Sequence, residues 1–316
     1  MNNYINKKFD NYKDMTKSAL NWNFDCNYQL LPIALKGEHN IINLSKMQLS
    51  YSYREGGMMY GIKAPKDTIS IAVIDECEDR ALYDRLKLKK GYIVFFDDSK
   101  EYIFMSHGYI KVSIVSIKID SLGILSDNIR DYIDHYIKDN SATLSTTLNS
   151  LLIDFKNGKD IDNTIQNTII NIIKDYIDNQ APQKSKLTYG EDIALNVVKD
   201  MINHMDGKID ISAIAYKYNV SKQTLQNSFR SLFGFSAKKF LLLLKLNHVH
   251  NDLYHSTTKN ITVLVIATKW GFSHMGNFAR YYKELFHQTP SQTLKNNYDK
   301  IDMMDDRCVL RKEEII

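Results

Sequence analysis

Lys222, Gln223, Gln226, Asn227 and Arg230 cluster in the stretch Ile211 to Phe235, ISAIAYKYNVSKQTLQNSFRSLFGF, which reads as a short helix, a tight turn and a second helix. Amide and guanidinium side chains are poor candidates for covalent catalysis, but they present paired hydrogen-bonding groups. Glutamine and asparagine match the major-groove edge of adenine, and arginine matches that of guanine. Some thirty residues later His274, Asn277, Arg280 and Tyr281 hold corresponding places in a second such unit, Thr262 to Phe286, TVLVIATKWGFSHMGNFARYYKELF. Lys217, Ser221, Lys239, Lys245, Lys269, Ser273 and Lys283 lie around both units as candidates for phosphate contact, which positions a protein on a duplex without reading sequence.

The elements that must hold these side chains follow from the apolar spacing. A first helix is expected over Glu191 to Asn203, closing near Gly207, and Asp210 can cap a second with Ile211, Ile214 and Ala215 on its inner face. The Tyr218-Asn219-Val220 turn leads to Ser221 as N-cap of the next helix, where Leu225, Phe229 and Leu232 share one side. The polar residues are thereby left on the other side. Ala237 to Tyr254 forms a long connecting helix; Ile261, Val263, Leu264, Ile266 and Ala267 form the second supporting helix. Trp270-Gly271-Phe272 makes its turn, Ser273 caps, and Phe278, Tyr282, Leu285 and Phe286 point inward. Two such reading helices would enter successive major grooves on one face of the duplex, about one turn or ~34 Å apart.

Charge distribution supports that chemistry. The net charge of +4 is not spread evenly: residues 1–189 carry 24 basic and 24 acidic side chains, whereas residues 190–298 carry 13 against 7. The basic excess therefore coincides with the two units, as a phosphate-binding surface requires. Cys26, Cys77 and Cys308 have no CxxC spacing and imply neither a disulfide framework nor a zinc site. The N-terminus has no apolar core of signal-peptide type and the longest strongly apolar run, Phe240 to Leu244, is too short to span a bilayer, so a cytoplasmic, nucleoid-associated protein with no membrane partner is expected.

The N-terminal half has a different period. Residues 1–35 read as a polar lead-in. From 36 to 120 short alternating runs such as TISIAVID, GYIVFFD and YIKVSIVSIKI are separated by turn signals, the pattern of an antiparallel barrel or jelly roll. Only His39 and His107 fall there, with no HxH pair among the strands, so no metal and no cofactor is expected. Tyr51, Tyr53, Tyr60, Tyr92, Phe95, Tyr102 and Phe104, with Arg54 and Arg80 for an anionic group, are candidates to line a ligand pocket. Residues 121–180 turn helical, and Ile161, Ile165, Ile169, Ile172, Ile173 and Tyr176 form a stripe that must pack either on the barrel or on the same helix of a second copy, giving a homodimer. Residues 181–189 read as a linker, 190–296 as the domain carrying units 211–233 and 262–286, and 297–316 as a tail.

The fold class is therefore α+β with two domains: an N-terminal antiparallel β-barrel or jelly roll, cupin-like, plus helices, and a C-terminal all-α double helix-turn-helix. Val220-Ser221, Leu225, Phe229 and Gly234, then Gly271-Phe272, Phe278, Tyr282-Lys283, Phe286 and Thr289-Pro290, resemble the AraC/XylS family of bacterial transcription regulators over about residues 190–296. SKQTLQNSF with WGFSHMGNFA is similar to the wording of ethanolamine-utilisation operon regulators. The chain departs from the family at Ala237, where a proline is usual, at Lys245-Leu246, where Arg-Leu is frequent, and at His287, where a glycine is frequent.

The resemblance implies a regulator of promoter DNA, an activator that would also meet RNA polymerase, controlled by a small-molecule effector or by dimerisation through the N-terminal domain. A ligand-independent regulator, set by a partner protein or by abundance, would share these features. A cupin-like enzyme with an appended helical domain is the other alternative, but the chain has no Gly-rich phosphate loop and no GxSxG nucleophile motif.

Overall fold

The computed structural model describes residues 3–123, 125–159, 164–205, 209–256 and 261–296. Two compact units emerge, one formed by Met1–Asn27 and Ile33–Asp192, the other by Tyr28–Pro32 together with the chain from Ile193 on. In order, the first contains β1 (Asn3–Phe9), α1 (Tyr12–Ser18), β2 (Asn23–Gln29), β3 (Lys36–Asn43), β4 (Met47–Glu55), β5 (Met58–Lys63) and β6 (Thr68–Cys77). There follow β7 (Leu82–Tyr83), β8 (Leu86–Lys87), β9 (Tyr92–Asp97), β10 (Tyr102–Ser106), β11 (Tyr109–Lys118), α2 (Leu125–Arg130), β12 (Tyr136–Lys138), α3 (Thr143–Lys156) and α4 (Thr164–Asn179). The last two residues of β2 belong to the second unit.

Seven strands pair in the order β1-β3-β4-β11-β6-β9-β12 and five in the order β2-β5-β10-β7-β8. Alternation sends successive side chains of the large sheet to opposite faces. Ile69, Ile71 and Val73 of β6 join Ile93 and Phe95 of β9 under the helices, packed against Leu144, Leu148, Ile169 and Ile173. Ala72 and Ile74, Val94 and Phe96 face the other way, into a core completed by Tyr60, Tyr102 and Phe104 from the small sheet. The layers are thus sheet, sheet, helices. Asp75 on β6 anchors α3 by accepting hydrogen bonds from Ser145 and Asn149 while also accepting from Ser113 of β11 at 2.7 Å.

Several expectations are corrected. Residues 1–35 are not a loose lead-in: β1 pairs along its length with β3, and Asn11 caps α1 by accepting from the Asp14 N–H at 2.9 Å. Polarity misled because β1 borders solvent at the sheet edge. Residues 121–180 are not wholly helical, since β12 adds a strand to β9. The isoleucine stripe of α4 is covered within the protomer, Ile169 and Ile173 being fully buried beneath the large sheet, so it offers no argument for a second copy; Ile161 lies outside the described residues. Residues 181–189 are no free linker, because Gln183 and Tyr136 exchange backbone hydrogen bonds of 2.8 and 2.9 Å. The boundary between units falls instead inside the next helix, α5 (Tyr189–Asn203). The tail 297–316 with Cys308, and Gly207, also lie outside the described residues.

The proposed pocket residues do not converge. On β4 the side chains of Tyr51 and Tyr53 leave the face opposite to that of Arg54, as period-two geometry demands, and the Tyr53 hydroxyl donates to Glu55 at 2.7 Å. Phe95 packs under the helices rather than between the sheets. Arg80 is exposed, and Tyr92 stacks on Tyr136 with ring centroids 3.9 Å apart. Tyr60, Tyr102, Phe104 and Arg54 do lie between the sheets. No described helix is long and apolar enough to cross a membrane, and no group of three His, Cys, Asp or Glu is placed to hold a metal among the described residues.

Candidate nucleic-acid interface

The second unit continues from α5 through α6 (Ile211–Lys217), α7 (Lys222–Phe233), α8 (Ala237–Tyr254), α9 (Val263–Lys269) and α10 (Met275–Phe286). Asp210 caps α6 through the Ser212 N–H at 2.8 Å, and Ser221 caps α7 through the Thr224 N–H at 3.0 Å. Leu225, Phe229, Leu232 and Phe233 form the buried face of α7, with Phe229 and Phe233 in ring contact with Phe240 of α8. In the second module Phe278, Tyr282 and Leu285 play this part against Leu246, Val249 and Leu253 of α8. Burying one face of each amphipathic helix fixes which residues the other face displays.

The two modules share one construction. Asp200 of α5 accepts from the Lys217 ammonium and from the Tyr218 hydroxyl, the latter at 2.8 Å. Asp252 of α8 likewise accepts from Lys269 and from the Trp270 indole, both at 2.8 Å. The same separations of 17 and 18 residues recur in both. Lys217 beside it holds the Asp200 carboxyl below the usual carboxylate range despite a smaller opposing effect of burial. The turns match too: Asn219 and Gly271 adopt positive φ of 52° and 80°, and the helices end at Gly234 and His287 with φ of 72° and 56°. His287 therefore occupies a left-handed position that costs a non-glycine residue free energy. Its side chain meets the carbonyl oxygen of Pro32 at 2.7 Å.

Among the nine base-contact candidates the displayed set is smaller than expected. Lys222, Gln223, Asn227 and Arg230 are exposed on α7, and the Gln223 amide donates to Asn227 Oδ1 at 2.9 Å. Gln226 is half-buried, its Oε1 accepting the Ala237 N–H at 3.1 Å, and so helps start α8. On α10, Asn277 and Arg280 are exposed; Arg280 lies over the Tyr281 ring at 4.6 Å and reaches Glu284 at 3.3 Å. Tyr281 is half-buried. His274 is exposed at the N-cap position of α10 and makes no side-chain cap bond. Ser273 does not cap α10, because the second turn is one residue longer than the first and puts His274 in that place.

The phosphate candidates also divide. Ser221, Lys239, Ser273 and Lys283 are exposed at the ends and flanks of α7, α8 and α10, with the Lys239 ammonium 5.7 Å from the Tyr281 ring centroid. Lys217 and Lys269 are exposed but held by the two aspartates. Lys245 is half-buried, and burial depresses its pKa. Sequence reasoning missed Asp200, Asp252, Glu284 and the exposed helical glycine Gly276. The repeated Asp-to-Lys-aromatic spacing was the available signal for the first two.

Two helix-turn-helix modules built alike and joined by one long helix define the class of this unit. Residues 214–296 match a family described as a helix-turn-helix domain. The chain is 29% identical over 92 residues to a protein of Rhodococcus erythropolis described as "Probable thc operon regulatory protein", covering 29% of this chain and 28% of that one. It is 27% identical over 99 residues to the XylDLEGF operon transcriptional activator of Pseudomonas putida, covering 31% of each. A solved structure described as a probable AraC family transcriptional regulator from Rhodopseudomonas palustris is 28% identical, with a TM-score of 0.32 over 33% of this chain and 96% of that one. Residues 214–296 are a helix-turn-helix domain. The chain spans less than a third of the length of these two curated relatives.

Proposed function

We propose that this protein is a sequence-specific DNA-binding transcription regulator and not an enzyme, acting on promoter DNA in the cytoplasm. The observation that carries the reading is the pair of polar helix faces, on α7 and α10, displayed by two modules of matching construction. Lys222, Gln223, Asn227 and Arg230 from one, with His274, Asn277 and Arg280 from the other, are suited to base edges in successive major grooves. Ser221, Lys239, Ser273 and Lys283 are suited to the phosphates beside them. The name of the Pseudomonas relative, a transcriptional activator, supports activation here; an activator would also meet RNA polymerase.

The N-terminal unit serves in this reading as the sensor, shifting the population of DNA-competent states through a ligand that prefers one of them. In-vitro selection with the full chain tests the first part. A recovered motif, bound with log K falling linearly in log salt, is expected. Failure to enrich any sequence, or binding indifferent to salt, would overturn the reading.

A further inference from the structure

Of the buried polar groups in the N-terminal unit that lack a hydrogen-bond partner, three line one cavity: the indole Nε1 of Trp22, the hydroxyl of Ser52 and the guanidinium Nε of Arg54. Arg54 is 5% exposed and lies inside the β-sandwich, where β4 directs it away from solvent. Its Nη1 donates to the Tyr60 hydroxyl, and its guanidinium lies over the Tyr60 and Phe104 rings at 5.4 and 5.2 Å. None of these contacts carries negative charge. No carboxylate lines the cavity, and no ion pair of Arg54 occurs among the described residues. Desolvation brings the Arg54 pKa down to about 10, which leaves it cationic at neutral pH.

A buried unpaired cation is costly, and an unmade buried hydrogen bond adds to the cost. Folds keep such groups where a ligand completes them. An indole N–H and a guanidinium can only donate, and a hydroxyl can donate, so the complementary guest is rich in acceptors and negatively charged. Phe24, Ile41, Ile62 and Ile114 supply apolar walls. The cavity of about 30 Å³ has room for a small guest only. His39 and Ser50 are the remaining polar walls; His39 is bonded to Ser18 at 2.8 Å and is held neutral by burial and by Arg54, so neither adds a second charge.

We infer that this cavity binds a carboxylate of one or two carbons, formate or acetate, the carboxylate meeting Arg54, Ser52 and Trp22 and any methyl group meeting the apolar walls. This rests on the N-terminal unit being the sensor of the proposed regulator, and it names the class of effector.

The test uses the full-length protein in chloride buffer, with formate and acetate as probes and formamide and acetamide as neutral counterparts. At least one acid should raise the thermal midpoint saturably, and its amide should not. Trp22→Phe and Ser52→Ala should each weaken that acid about tenfold, the scale of one hydrogen bond to a charged group. Both should leave the ligand-free midpoint unchanged or higher, because each removes an unsatisfied group. Arg54→Gln should abolish binding, and if it fails to fold the other two variants decide. No response to any acid, with waters alone filling the cavity, overturns the inference, as does equal response to acid and amide or unchanged binding in the variants. The same preparations are tried on the selected DNA. Specific DNA binding without acid binding sinks this inference alone, whereas absence of specific DNA binding sinks the regulator reading.

Discussion

The Oε1 of Gln226 accepts the backbone N–H of Ala237 at 3.1 Å, so a residue of α7 closes the first turn of α8. Ala237 stands where the resembled family usually has proline, which has no N–H to satisfy and suits the first position of a helix. The glutamine and the alanine are therefore a matched pair. Gln226→Ala should cost about 1 kcal/mol of stability, the scale of one lost hydrogen bond. Combining it with Ala237→Pro should recover most of that loss. Denaturant melts of the two variants check this, and if Gln226→Ala instead alters the selected DNA motif at one position, the side chain leaves α8 to read a base.

Arg280 is stacked on Tyr281 and tied to Glu284. Removing it should relax preference at one base pair by about 1–3 kcal/mol while leaving the others alone. Glu284→Gln should do the reverse, strengthening binding a few-fold at low salt by removing a negative charge near the phosphates. Competition gel shifts over single-base operator variants separate these outcomes. Uniform weakening by Arg280→Ala would assign it to phosphate.

Gly276 sits in the first turn of α10, exposed, and a Cβ there would meet no atom of the protein. The fold does not require a glycine at this place. Gly276→Ala should stabilise the free protein by about 0.5–1 kcal/mol, because glycine loses more backbone freedom in a helix. It should also weaken DNA binding, since the missing side chain lets the helix backbone approach the duplex. A higher melting temperature with unchanged affinity would place that turn away from DNA.

His250 is half-buried beside Phe286, with its Nδ1 2.7 Å from the Tyr282 hydroxyl. Burial, reinforced by the nearby His255, lowers its pKa to about 4 from an ordinary value near 6.5. Because the unfolded chain takes up this proton first, stability is full above pH ~6.5, falls as pH drops through the window, and levels off below about 4. His250→Gln, which keeps a hydrogen-bonding group without the titration, should flatten that part of the profile. Melting temperatures from pH 7 to pH 4 read the difference, and parallel curves would assign the loss to other groups.

Much of the second unit was legible because helix signals are local. Asp210 and Ser221 cap the helices they were expected to cap, and α8 spans the range that its apolar spacing marks out. Leu264 shows the limit: it fits the apolar run of α9 but is 57% exposed, since a short helix buries only the side facing its neighbours. The ligand-site candidates fared worse for a similar reason. Aromatic residues enrich both faces of a covered sheet, so composition cannot say which face encloses a cavity.

By itself the sequence determined the order of two structural regimes, the boundaries of most helices and the polar faces of α7 and α10, all of which depend on spacing within a few residues. Only the tertiary structure decided that Gln226 serves α8, that Asp200 and Asp252 repeat the same anchor, and that Trp22, Ser52 and Arg54 share one cavity. These pairings join residues on different elements of the fold. They depend on strand pairing and helix packing that no local period encodes.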